Sequence, residues 1–136
     1  MIPLRLSPGA WSPVIRRIDR HAESGGRKIA LTFDDGPDPE TTPHLIAALA
    51  ASGATATFFL CGIRVERNPD LVRALVEAGH AVYAHGWDHR RYTPKEAAAA
   101  VAATARAEAL LARYRPTPAA YLMRLPYNAG FNRIAM

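Results

Sequence analysis

The chain has 136 residues, 49% of them apolar and 21% charged, which suits one folded domain and excludes a disordered chain. A single cysteine, Cys61, rules out a disulfide framework or multi-cysteine zinc site, and no apolar run reaches the roughly 18 residues of a membrane-spanning helix. The 17 Lys and Arg residues exceed the 12 Asp and Glu by a formal charge of +5, but they are scattered and no base-reading motif accompanies them, so no nucleic-acid partner is expected.

Residues 1–26 read as a lead-in. Ser12-Pro13 can cap a short helix with Val14, Ile15 and Ile18 on one face, too short for a membrane-surface anchor, and Ser24-Gly25-Gly26 breaks the chain after it. The first residues lack the basic-then-apolar layout of a signal peptide, so the chain as encoded is expected to be cytoplasmic.

Strands and helices then alternate. Residues 29–33 form a near-continuous apolar run, as expected of a parallel strand buried on both faces. Thr42-Pro43 opens a helix striped by Leu45, Ile46 and Leu49 and closed by Gly53; residues 55–60 make a second strand. Asn68-Pro69 opens the next helix, with Leu71, Val72, Leu75 and Val76 inward and Gly79 at its end, before a third strand over 80–84. Thr93-Pro94-Lys95-Glu96 is a capping box for an alanine-rich helix running to about Tyr114; Pro116 and Pro118 stop it, and 121–124 reads as a fourth strand. Pro43, Leu45, Ile46, Leu49 and Gly53 recur as Pro69, Leu71, Val72, Leu75 and Gly79 at a constant offset of about 26 residues, the length of a β-α unit. Two ordinary amphipathic helices could share that pattern by chance. Either way the class is α/β with mainly parallel strands.

In such folds chemistry collects at the carboxyl ends of the strands. Three polar segments lie there: Asp34-Asp35-Gly36-Pro37 after the first strand, His85-Gly86-Trp87-Asp88-His89 after the third, and Arg124-Leu125-Pro126-Tyr127 after the fourth. Asp-Gly-Pro makes turns unaided, so the acids alone decide little. Two adjacent carboxylates at an apolar strand end do, however, carry a desolvation cost that a cation offsets. His85 and His89, four apart around Gly86, suit a loop wrapped around a metal. With Asp35 they make two imidazoles and one carboxylate, a set that leaves positions for water and substrate. His21, His44 and His80 lie at the wrong ends of their elements and read as structural or exposed; Cys61 reads as a buried small apolar residue.

Thr32-Phe33-Asp34-Asp35-Gly36-Pro37, His85-x-x-x-His89 and Arg124-x-Pro126-Tyr127, in this order, resemble the first three motifs of the polysaccharide deacetylases, carbohydrate esterase family 4. The text between, such as Ala56-Thr57-Phe58-Phe59-Leu60 and Ala78-Gly79-His80, resembles the family too, over roughly residues 28–130. The resemblance implies a distorted (β/α) barrel over residues 27–136, about four of whose β/α units are present here. It also implies a hydrolase that removes N-acetyl groups from chitin-like oligomers, peptidoglycan or related glycans, often at the cell envelope. By the same resemblance Asp34 is the general base acting on a water held by the metal. Asp35, His85 and His89 are ligands of a divalent metal, most often zinc, and Arg124 orients Asp34. Tyr127 helps hold the oxyanion through its backbone N–H, while Pro126, Tyr127 and Trp87 meet the substrate. Trp87 and Thr32 also read as packing residues around the ligands.

The family carries two later motifs, one supplying an acid beside the arginine and one a Leu-x-His whose histidine is the general acid. Neither follows Tyr127 in this chain, so a truncated domain is expected. Loss of a general acid costs on the order of 10²–10⁴ in rate. A catalytically impaired metal- and glycan-binding remnant is therefore the alternative to an active deacetylase. A haloacid-dehalogenase-like phosphatase fits poorly, because it needs Asp-x-Asp and these acids are adjacent. Open strand edges in a part-barrel are expected to promote self-association, against which a monodisperse monomer in light scattering would count.

Overall fold

The computed structural model describes residues 29–128. Three short parallel strands, β1 (Thr32–Asp34), β2 (Thr57–Leu60) and β3 (Ala81–Ala84), form one sheet in that spatial order. Phe33, Phe58 and Val82 are in register, as are Asp34, Phe59 and Tyr83. Because successive residues face opposite sides of a sheet, the first row belongs to the helix-covered face and the second to the other. Helices α1 (Thr42–Ala51), α2 (Gly62–Arg67), α3 (Pro69–Glu77) and α4 (Ala97–Leu111) complete the architecture. Leu49, Phe58, Leu60, Val65, Val72, Leu75, Val82 and Leu111 make the buried core between helices and sheet.

The repeat seen in the sequence is structural. Pro43 and Pro69 each sit in a first helical turn, and Leu49 and Leu75 are buried at matching positions. Gly53 and Gly79 end the two units with φ of +62° and +81°, a left-handed conformation that Gly adopts without steric cost. The capping box also forms: Glu96 accepts from the Thr93 N–H at 3.0 Å and from its hydroxyl at 2.8 Å. It opens a single 3₁₀ turn, Pro94–Glu96, from which α4 continues.

Four details depart from the sequence reading. The first strand is short and is not buried on both faces: it spans only Thr32–Asp34, with Thr32 and Asp34 exposed, and Ile29 before it is 83% exposed. A six-residue helix, α2, fills what reads as a loop after the second strand. Tertiary contacts hold it, since its first N–H groups, on Gly62 and Ile63, donate to the carbonyls of Gly86 and Trp87. The long helix ends at Leu111 rather than near Tyr114. The fourth strand reduces to one parallel bridge between Met123 and Ala84, with Tyr121, Leu122 and Met123 exposed. The Ala84 N–H, which a fourth strand would need, instead donates to Glu108 Oε1 of α4 at 2.8 Å. The described residues thus hold three paired strands, not four. The expected lead-in helix lies outside the described residues.

His80 is 6% exposed, its ring lies against Phe58, and neither ring nitrogen has a hydrogen-bond partner among the described residues. Burial lowers its pKa below the ordinary 6.5. The unfolded chain therefore takes up this proton first, and stability is lost as pH falls from about 6.5 toward the lower folded value, by at most about 1.4 kcal/mol per pH unit. In melting curves between pH 7.5 and 5, His80→Leu is expected to flatten this acid-side loss. An unchanged slope would exclude His80 as its source.

Candidate metal centre

The three rim segments expected from the sequence are stitched together by main-chain bonds that continue beyond the strands. The Gly36 carbonyl accepts from Cys61 N–H at 3.1 Å, and the Gly86 carbonyl from Gly62 N–H at 3.1 Å. His85 N–H donates to the Leu60 carbonyl at 2.9 Å. The Asp-Gly turn forms as well, with Gly36 N–H reaching the Asp34 carbonyl at 3.0 Å. Turn and site are here the same feature.

Asp35, His85 and His89 converge, with one ligand atom from each lying within 4.8 Å of the others. Asp35 Oδ1 stands 3.2 Å from His85 Nε2 and 3.1 Å from His89 Nε2. The other nitrogen of His85, Nδ1, lies 2.7 Å from the Arg124 carbonyl oxygen. A carbonyl only accepts, so Nδ1 carries the hydrogen, and a neutral ring then presents its Nε2 lone pair to the carboxylate. With the ring neutral, two acceptors face each other at contact distance, an arrangement that a bound cation resolves, as a proton on Nε2 also would. Two imidazole nitrogens and one carboxylate oxygen are donors that fit a divalent metal of the borderline type, with positions left open. His85 is buried while Asp35 is half exposed, so one side of the cluster is fixed and the other faces solvent.

Arg124 ties the segments together. Its guanidinium donates to Asp34 Oδ1 at 2.7 Å and to Thr32 Oγ1 at 3.2 Å, and lies 4.5 Å over the Phe59 ring. Its N–H meets the Ala84 carbonyl while its own carbonyl orients His85. One residue therefore sets both the carboxylate of Asp34 and the tautomer of His85. Asp35, His89 and Tyr127 have φ of 74°, 56° and 59°, the non-glycine residues in the left-handed region among those described. Such conformations carry a steric cost and persist only where the surroundings impose them. No sequence signal marked them.

Of the residues expected to meet the substrate, Pro126 and Trp87 pack against other parts of the protein. Pro126 is fully buried, with its ring against Gly86, so it braces the loop and offers no surface to a ligand. The Trp87 indole lies against Gly62 of α2, where an added Cβ would stand 2.3 Å from its ring, and the Arg106 guanidinium of α4 sits 3.3 Å from its centroid. The indole is partly buried, held between α2 and α4. Tyr127, by contrast, is 55% exposed with its ring 4.8 Å from that of His89. Cys61 is buried, burial together with the charge of Asp35 pushes its thiol up to about 11, and it stands outside the Asp35–His85–His89 cluster.

The sequence pattern of the polysaccharide deacetylases matches residues 21–135. This chain belongs to the polysaccharide deacetylase family. Among related proteins, the peptidoglycan-N-acetylglucosamine deacetylase PgdA of Listeria monocytogenes is 38% identical over 112 residues, covering 80% of this chain and 23% of that enzyme. A chitooligosaccharide deacetylase of Bradyrhizobium is 44% identical over 66 residues, 48% of this chain and 30% of the relative. Among solved structures, the family 4 carbohydrate esterase of Streptomyces lividans superposes with a TM-score of 0.66 at 36% identity, over 74% of this chain and 51% of the esterase. Peptidoglycan deacetylase PdaC of Bacillus subtilis gives 0.61 at 35%, over 73% and 48%. The chain spans less than a third of the curated relatives it matches and about half of these solved chains. Among the described residues no helix is long and apolar enough to cross a membrane.

Proposed function

We propose that this chain is the metal-binding and base-bearing part of a glycan N-deacetylase, a hydrolase removing acetyl groups from N-acetylated sugars of a chitin-like or peptidoglycan-type polymer. The observation that carries this reading is the convergence of Asp35, His85 and His89 beside the Asp34–Arg124 pair. The relatives named for peptidoglycan and chitooligosaccharide deacetylation support the substrate class. Residues 27–136 would form the opening part of a distorted (β/α) barrel, with 1–26 as its lead-in.

The donor set favours zinc, which when bound supplies a Lewis acid that lowers the pKa of water to about 7 and polarises an amide carbonyl. Asp34 accepts the proton of the attacking water, and the Arg124 guanidinium holds the carboxylate in the orientation that transfer needs. The Tyr127 N–H donates to the carbonyl oxygen as it gains negative charge. The exposed Tyr127 ring offers a face for the sugar.

A folded, zinc-loaded sample is expected to release acetate from N-acetylglucosamine oligomers, and a chelator should stop the release. Zinc and sugar binding with no acetate released would instead support metal and glycan binding without turnover.

A further inference from the structure

Most arginines around the rim are committed to acids. Arg124 bonds Asp34, Arg64 meets Asp38 at 3.5 Å, and Arg90 pairs with Glu96. Arg91 has no acidic partner among the described residues. Its guanidinium lies 4.6 Å from the centroid of the Tyr127 ring, and that ring in turn lies 4.8 Å from the ring of His89. Both Arg91 and Tyr127 are exposed. A guanidinium stacked on an aromatic ring uses its face and leaves its N–H donors free along its edge, where a carboxylate can bind in a bidentate fashion. The result is an unspent fork of donors, one aromatic ring away from the metal centre.

Resting on the deacetylase reading above, we propose that Arg91 is a specificity residue that selects N-acetylated glycans bearing a carboxylate near the reacting acetamido group. A sugar placed against Tyr127 brings its neighbouring substituents within reach of Arg91, and a carboxylate there gains a charge-assisted pair that a neutral chitin-like oligomer cannot make. Two sources carry this chemistry, a lactyl ether on the hexosamine itself or a uronic acid in the adjoining unit.

The test is isothermal titration of the zinc-loaded full chain with three oligosaccharides of equal length: N-acetylglucosamine only, N-acetylmuramic acid-containing, and N-acetylhexosamine alternating with uronic acid. At low salt at least one anionic oligomer is expected to bind about 3- to 10-fold tighter than the neutral one, the span of an exposed to partly shielded charge pair. The oligomer that does so identifies the source. The preference should shrink with added salt, fall towards one in Arg91→Gln and persist in part in Arg91→Lys. Equal affinities for all three would overturn the role of Arg91 while leaving the deacetylase reading intact. So would an Arg91→Gln variant that weakens neutral and anionic oligomers alike, since Arg91 would then only steady Tyr127. Failure of every oligomer to bind would instead remove the glycan reading beneath it.

Discussion

Replacing Asp34 with Asn is expected to lower acetate release by about 10²–10⁴-fold, the usual contribution of a positioned general base. The substitution keeps volume and an oxygen that can still accept from the Arg124 guanidinium, now 2.7 Å from Asp34 Oδ1. What it removes is the ability to take a proton. Asp34 stands outside the Asp35–His85–His89 cluster, so zinc binding, followed by equilibrium dialysis, should persist. A variant with less than a tenfold loss in rate would assign the proton transfer to another group. A variant that lost zinc as well would place Asp34 among the ligands.

Replacing His85 with Ala is expected to abolish measurable zinc binding. Loss of a residue that only orients a ligand typically costs 10–100-fold in metal affinity, and the loss of a ligand itself should exceed about 100-fold. Thermal unfolding reads this directly. Zinc at about a hundred times its dissociation constant should stabilise the wild-type chain by about 2.7 kcal/mol, and the variant by nothing at the same concentration. The variant should also be weaker without metal, because the buried ring holds the Arg124 carbonyl at 2.7 Å and its removal strands that acceptor, at a cost of roughly 1–3 kcal/mol. His89→Ala separates the two effects: His89 is partly exposed, so it should lose the zinc response with a smaller drop in the metal-free chain. A zinc response retained in both variants would rule out the cluster as the metal site.

The helix-covered face of the sheet was readable in advance because its signals are local. Period-3.6 stripes such as Leu45, Ile46 and Leu49, proline at a first turn and glycine past a last turn each act within a few residues, and α1 and α3 follow them. Helix α2 was invisible for the opposite reason. It has six residues, begins at a glycine and borrows its hydrogen-bond acceptors from Gly86 and Trp87, more than twenty positions away. The fourth strand failed similarly: its β-like residues are present, but Glu108 of α4 occupies the donor that would have continued the ladder. Local propensity could not foresee that competition.

For the site, the sequence alone determined which residue types stand at the ends of the strands, because strand, turn and motif are contiguous there. Asp34, Asp35, His85, His89, Arg124 and Tyr127 are all brought to one rim. Only the tertiary structure decided their roles relative to one another. The carbonyl of Arg124 selects the tautomer of His85 across 39 positions, and its guanidinium reaches Asp34 across 90. Tertiary packing also set Trp87 against Gly62 and Arg106, buried Pro126 and left Arg91 stacked on Tyr127, because those outcomes depend on where α2, α4 and the 124–127 segment come to rest. Short-range patterns specify elements and the chemistry they carry. Which side chain reaches which partner is set by contacts between segments far apart in the chain.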